Sequence, residues 1–239
     1  MKSLIIIPTY NEKENIASIV REVLAITAQH LEKHPVELLI VDDGSPDGTG
    51  QIADQIAQSE KRLHVLHRKG KLGLGSAYVA GFQWGLEKGF EACIEMDADF
   101  SHRPAYLEPM LENLEKFDFV IGSRYVSGGG TKNWGLIRKI ISRGGSFYSR
   151  VILGAPIHDF TGGFNGWRAE VLRAISLDTI RSDGYSFQIE LKYRAYQKGF
   201  RFVEFPILFE DRKVGHSKMS RKIVFEALRK VWSFRFGNS

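Results

Sequence analysis

The chain has 239 residues, 43% of them hydrophobic and 26% charged, which is enough to bury one sizeable core and excludes a fibrous or low-complexity protein. Its net charge of +5 suits an acidic partner, and composition leaves nucleic acid, an anionic lipid surface and phosphorylated substrates all open. The single cysteine, Cys93, has no disulfide partner and lies in an apolar run, so it reads as a small core residue in a reducing compartment.

In chain order, the opening MKSLIIIPTYNE has too few apolar residues between Lys2 and Pro8 for a signal peptide. No later run approaches the roughly 18 residues needed to cross a bilayer. Short apolar runs at 4–8, 36–43, 63–68, 92–97 and 117–123 predict strands. Helices fall between them. The first has Asn11 as its predicted N-cap and Ile16, Ile19, Val20 and Val23 on one face; the others cover about 48–60, 74–89 and 104–116. This alternation with near-continuous apolar strands predicts an α/β fold, a mostly parallel sheet with helices on both sides. Past residue 124 come a Gly-rich turn YVSGGGT, a helix near 135–153, a loop HDFTGGFNG, helices near 168–175 and 186–198, and a strand at 200–209.

Ligands of open α/β sheets bind outside the carboxyl ends of the strands. PTYNE, VDDGSPDGT, MDADFSH and GSRY each follow a predicted strand end, so four polar motifs share one rim. Singly, Asn11 or Asp43 is equally a cap, and SPDG an ordinary turn. Together they point to a ligand. Asp97 and Asp99, one residue apart at a strand end, repel each other unless a cation lies between them. Oxygen ligands select Mg²⁺, Mn²⁺ or Ca²⁺, and an ion held by one or two carboxylates takes its remaining ligands from substrate phosphates and water. A diphosphate ligand is implied. Asp42 and Asp43, ending the second strand, are placed to accept hydrogen bonds from a ribose or a base.

Weaker motifs add less. GKLGLGSAYVAG (70–81) lacks the spacing of a phosphate-cradling loop, and its glycines read as sites of tight helix packing. His102, His158 and His216 are not spaced as metal ligands and are expected to bond locally.

PTYNE, VDDGSPDGT, MDADFSH, GSRYVSGG, DFTGGF, GYSFQIE and EFPILFEDRKVGHSKMS together resemble the dolichyl-phosphate mannose synthase family, the polyprenyl-phosphate mannosyltransferases of family-two GT-A glycosyltransferases. The likeness spans nearly the whole chain, and GSRYVSGG with DRKVGHSKMS is its most particular part. It implies a single GT-A catalytic domain, 1–123 binding the nucleotide sugar and 124–239 the acceptor. The implied reaction moves mannose from GDP-mannose to the phosphate of a polyprenol such as dolichol, with inversion. A related enzyme using another donor, such as UDP-glucose, is the alternative. Carried over by position, Pro8, Tyr10, Glu12, Val41 and Asp43 hold the nucleotide, while Asp97, Ala98 and Asp99 meet the Mg²⁺ or Mn²⁺ and the diphosphate. Ser101 stands where some members have a glutamine ligand, which leaves the third protein ligand open between it and water. Arg124 and Arg138 match arginines that grip the acceptor phosphate; Arg212 and Lys218 match basic residues on a loop that closes over the diphosphate. Asp159 is placed to orient the acceptor arginines or the sugar.

The chemistry agrees with this resemblance. A phosphate monoester, with its second pKa near 6, is already anionic near neutral pH and needs no general base. Arginines that hold phosphate in two-pronged fashion are the groups required instead.

A lipid acceptor demands a way to reach a membrane. Val224, Leu228, Val231 and Phe234 recur at helical spacing, with Lys222, Glu226, Arg229 and Lys230 on the opposite arc and Trp232 and Phe236 at the edge. That helix either packs on the core or lies on an anionic surface. The helix near 135–153, with Trp134, Ile137, Ile140, Ile141 and Phe147 among basic residues, is the second candidate. The resemblance implies a cytoplasmic protein peripheral on a membrane's cytoplasmic face, with a small membrane-anchoring subunit as a further partner. The dispersed basic residues and the lack of a recognition motif argue against nucleic acid.

Overall fold

The computed structural model describes residues 1–28, 34–210 and 221–237, the last stretch with side chains from 228 onward. Apolar runs form β1 (Ser3–Thr9), β2 (Val36–Asp42), β3 (Leu63–His67), β4 (Ala92–Glu95) and β5 (Phe119–Ser123), close to their predicted positions. They enter a seven-stranded sheet with β7 (Asn165–Arg168) and β8 (Phe202–Pro206) in the order β3-β2-β1-β4-β7-β5-β8. All pairings are parallel except those of β7, which runs antiparallel between β4 and β5. The mostly parallel α/β sheet is thus as expected.

Alternation along the strands divides the core. Ile5, Ile7, Leu38 and Ile40 face α1 (Ile16–Ala28), α2 (Thr49–Ala57) and α4 (Leu107–Leu114), whose Ile19, Val23, Ala53 and Met110 complete one apolar layer. Leu4, Ile6, Leu39 and Val41 face the other way. Their layer includes residues of α3 (Leu74–Glu87), α6 (Ala169–Ala174) and α7 (Gly184–Gln197), among them Tyr78, Phe82, Leu172 and Phe187. Burying each large side chain contributes about 1.5–3 kcal/mol before entropy is counted. Cys93 lies fully buried in this second layer. Two glycines of 70–81 pack as expected: a Cβ at Gly81 would stand 2.6 Å from Ile6 Cγ2, and one at Gly75 2.6 Å from the Ser182 carbonyl, whereas a Cβ at Gly70 would meet nothing within 4 Å.

Three local expectations are corrected. Asn11 does not cap α1; it adopts a left-handed turn with φ 60°, and the Ile16 N–H donates to the Glu12 carbonyl at 2.9 Å. The loop HDFTGGFNG ends in strand β7, which is too short and too polar to show alternation. The strand expected at 200–209 is two. β8 ends at Pro206, which lacks an N–H for a continuing ladder, and Leu208–Glu210 forms β9 against β6 (Gly130–Lys132) in a separate two-stranded sheet.

α5 (Leu136–Leu153) lies on the outside with an inverted pattern. Ser142, Ser146 and Ser149 are buried, whereas Leu136, Ile137, Ile140, Phe147 and Val151 are exposed. α8 (Arg221–Phe236) packs beside it and on α7. Val231 enters the core and Phe234 packs against it, while Trp232 and Phe236 stack on each other outside at 5.5 Å. The core-packing reading of the last helix therefore holds for one face, and the other face carries Trp232 and Phe236 outward. The side chains of Lys222, Val224 and Glu226 lie outside the described residues. Among those described, no helix is long and apolar enough to cross a membrane.

Candidate active site

Parallel register decides where the polar motifs meet. Thr9 pairs with Asp42, Ile6 pairs with Glu95, and β5 runs alongside, so PTYNE, VDDGSPDGT, MDADFSH and GSRY leave the sheet at one edge. They surround a cleft of about 400 Å³. Of the predicted residues, Pro8, Tyr10, Glu12, Asp43, Asp97, Ala98, Asp99, Ser101, Arg124 and Arg138 all line it. Val41 does not: its side chain is fully buried in the core, as expected on a strand covered on both faces. Arg212 and Lys218 lie outside the described residues.

At one end, two loops are fastened to each other by their own polar groups. Asn11 N–H donates to Ser45 Oγ at 3.1 Å, Glu12 N–H to Thr49 Oγ1 at 2.9 Å, and Lys13 N–H to Asp47 at 3.1 Å. Asp42 belongs to this scaffold rather than to a ligand, because it accepts from Thr9 Oγ1 and from the N–H and Oγ of Ser45. Asp43 alone of that pair reaches the cleft. Burial raises its pKa, opposed by the Leu72 N–H and by Arg68, whose Nη1 stands 2.9 Å away. Lys71, from the glycine-rich segment, lies over the Tyr10 ring at 4.4 Å. Ring and cation attract each other there, at the wall of the cleft.

Beyond β4 the chain turns sharply, with Phe100 in a left-handed conformation at φ 61°. The turn is fixed by Asp99 Oδ1, which accepts the Ser101 N–H at 3.0 Å and the Ser101 hydroxyl. Ser101 thereby holds one oxygen of Asp99 in place. Asp97 is a third exposed and accepts weakly from Tyr78 Oη at 3.4 Å. His102 Nδ1 accepts the Asp97 N–H at 3.2 Å, and burial lowers its pKa to about 4, so the ring is neutral. Among the described residues no three His, Cys, Asp or Glu side chains form an all-protein metal cage. Two carboxylates on a rigid turn instead fit a hard cation that completes its shell with phosphate and water.

The opposite wall is basic. Arg124 is buried and paired with Asp159, Nε to Oδ2 at 2.7 Å and Nη2 to Oδ1 at 2.7 Å, and its Nη2 also donates to Thr161 at 2.9 Å. Burial opposes charging either group, but each keeps the other ionised, the Asp159 pKa falling and that of Arg124 rising. Asp159 thus fixes the orientation of the Arg124 guanidinium in the cleft wall. Buried Lys192 ties the same loop by donating to the carbonyls of Asp159, Phe160 and Gly162. Beneath the site, Glu95 accepts from Trp167 Nε1 at 2.6 Å, Asn165 at 3.3 Å and Gln188. Burial raises the Glu95 pKa to about 7.

Sequence reasoning assigns no site role to Lys71, Thr161, Tyr185, Gln188 or Phe209, all of which line the cleft. GYSFQIE holds a signal, since a helix start rich in polar residues follows a predicted loop. Trp134 does not share the outward helix face expected of it; it precedes α5 and is buried in the cleft wall. His158 bonds to Glu204 of β8 at 2.7 Å rather than within its own loop, and His216 lies outside the described residues.

Residues 4–176 match the family described as "Glycosyl transferase family 2". The chain is 48% identical to "Polyprenol monophosphomannose synthase" of Mycolicibacterium smegmatis, over 98% of this chain and 88% of the relative. It is 49% identical to "Undecaprenyl-phosphate mannosyltransferase" of Micrococcus luteus, over 97% of this chain and 93% of that protein. Its fold is similar to that of glucosyl-3-phosphoglycerate synthase from Mycobacterium tuberculosis, solved with Mn²⁺, UDP and glucosyl-3-phosphoglycerate. The TM-score is 0.66 at 17% identity, over 98% of this chain and 78% of the other. Mannosyl-3-phosphoglycerate synthase from Rubrobacter xylanophilus gives 0.65 at 18% identity, over 96% and 73%. With a GT-A-like sheet, a near-full-length match to two mannosyltransferases and the cleft just described, the chain belongs to the polyprenyl-phosphate mannosyltransferase family within family-two glycosyltransferases, and it is an enzyme.

Proposed function

We propose that this enzyme transfers mannose from GDP-mannose to the phosphate of a polyprenol, with inversion at the anomeric carbon. The observation that carries the reading is the division of one cleft into an acidic turn, Asp97 to Ser101, and a basic wall with Arg124 and Arg138. Such a cleft suits a reaction between two phosphate-bearing substrates. The names of the two curated relatives support mannose and a polyprenyl phosphate as its substrates.

Tyr10, Glu12 and Asp43 would hold the nucleotide, and Asp97 and Asp99 a Mg²⁺ or Mn²⁺ on its diphosphate. The cation, when bound, offsets the negative charge that the departing diphosphate gathers. Arg124 and Arg138 hold the lipid phosphate on the other side of the sugar, where its anionic oxygen attacks. No proton need be removed from it, because the monoester is largely ionised near neutral pH. Arg212 and Lys218, outside the described residues, would contribute to the diphosphate by family likeness. On this reading the chain is one catalytic domain, 1–123 serving the donor and 124–239 the acceptor.

The outward apolar residues of α5 support peripheral membrane attachment. Leu136 and Ile137 are 73% and 76% exposed and immediately precede Arg138, which lines the cleft, so an acceptor held there would have its lipid tail beside an apolar helix face. Exposed apolar side chains among Lys139, Arg143 and Arg150 suit an anionic surface. We place that surface on the cytoplasmic side, where a small anchoring subunit is a further candidate partner.

The test is transfer of radiolabelled mannose from GDP-mannose to polyprenyl phosphate, with and without chelator, beside parallel assays with UDP-glucose. Chelator-sensitive transfer from GDP-mannose alone is expected. Transfer only from a UDP sugar would overturn the donor, and full activity in chelator would overturn the metal.

A further inference from the structure

Trp134 has a property that neither its sequence position nor the family likeness assigns. It is only 7% exposed, yet its indole N–H meets no acceptor among the described residues. A buried donor left unmet costs about 1–3 kcal/mol, and tryptophans in protein interiors usually satisfy theirs. This donor lies in a residue of the cleft wall. Around it the basic residues converge: the Arg138 guanidinium lies 4.0 Å from the ring centroid and that of Arg124 5.5 Å, while Phe209 packs edge-on at 5.3 Å.

We propose that Trp134 is an acceptor-binding residue, whose indole N–H donates to an oxygen of the incoming phosphate monoester while its ring gathers the Arg124 and Arg138 guanidiniums toward that phosphate. This rests on the reading of the basic wall as the acceptor side. Both parts follow from the chemistry of the indole. Its π face attracts cations, and its edge carries one N–H that suits an anionic oxygen. The buried ring also fixes the direction of its N–H. A phosphate oxygen of the donor's diphosphate has the same chemistry, so the test separates the two sources.

Trp134→Phe keeps an aromatic ring and deletes the N–H. A short-chain prenyl phosphate is titrated by calorimetry into wild type and variant, each saturated with GDP and Mn²⁺, and GDP with Mn²⁺ is titrated separately. The variant is expected to bind the prenyl phosphate about tenfold more weakly or worse, as for one lost hydrogen bond to a charged group, and GDP within about twofold of wild type. Its unliganded melting temperature is expected to equal or exceed that of wild type, because this buried unmet donor is removed. Equal prenyl phosphate affinity, a matching loss of GDP affinity, or a lowered melting temperature would each overturn the role. A wild-type protein that binds no prenyl phosphate would instead overturn the acceptor assignment on which the role rests.

Discussion

Asp159 grips Arg124 through both carboxylate oxygens, with neither side chain open to solvent and the Arg124 N–H adding a third bond to Oδ2 at 2.9 Å. Asp159→Asn leaves a buried guanidinium without its counter-charge. Breaking such a pair costs about 3–5 kcal/mol, so the denaturation midpoint should fall and the KM for the lipid phosphate should rise more than that for the donor. A variant with wild-type stability would show that the pair is dispensable.

Asp99→Ala should abolish metal-dependent transfer while leaving the fold intact, because the side chain serves the turn and the cleft rather than either apolar layer. Losing one preorganised charge-stabilising contact costs about 10²–10³ in kcat. Turnover with and without added Mn²⁺, beside a circular dichroism melt, decides it; undiminished turnover counts against the role. Arg124→Ala, by contrast, should spare donor binding and weaken use of the lipid phosphate.

The α5 surface gives a prediction that separates membrane attachment from chemistry. Ile137→Glu with Ile140→Glu removes two exposed side chains worth about 1.5–3 kcal/mol each if they enter a bilayer. Cosedimentation with anionic vesicles should drop at least tenfold, while melting temperature and turnover of a short soluble acceptor stay unchanged. Retained vesicle binding would move the contact elsewhere.

Gly81 should not tolerate a side chain. A methyl group there would stand only 2.6 Å from Ile6 Cγ2 in the core, so Gly81→Ala is expected to cost about 1–3 kcal/mol through overpacking. Urea denaturation reads this directly, and a neutral change would mean that α3 can shift off the sheet.

Glu95 makes stability depend on pH. Burial raises its folded pKa from the ordinary 4.5 to about 7, so the folded state holds this proton more tightly than the unfolded chain does. The stability it contributes is therefore full below about pH 4.5 and is lost as pH rises through about 7. Glu95→Gln should flatten the stability profile across that window in denaturation series at stepped pH. An unchanged profile would show that its partners, not burial, govern its charge.

Much of the molecule can be read from residue order alone. Apolar runs and helical periodicity mark the five strands of the first half because each is buried by its own pattern, and Asp97, Asp99 and Asp43 stand out because polar residues at the ends of such runs have few structural reasons to be there. Gly75 and Gly81 are likewise legible as packing sites. Other features depend on partners remote in sequence. β7 exists because β4 and β5 both lend it hydrogen bonds, and nothing within Asn165–Arg168 announces that. Asp42 and Asp43 are indistinguishable as neighbouring letters, yet strand alternation turns the first toward Thr9 and Ser45 and the second toward the cleft. Trp134 looks in the sequence like one more apolar residue beside a helix. Only the folded chain shows it buried beside two arginines with its N–H unmet among the described residues, because a donor's need is set by what surrounds it in space.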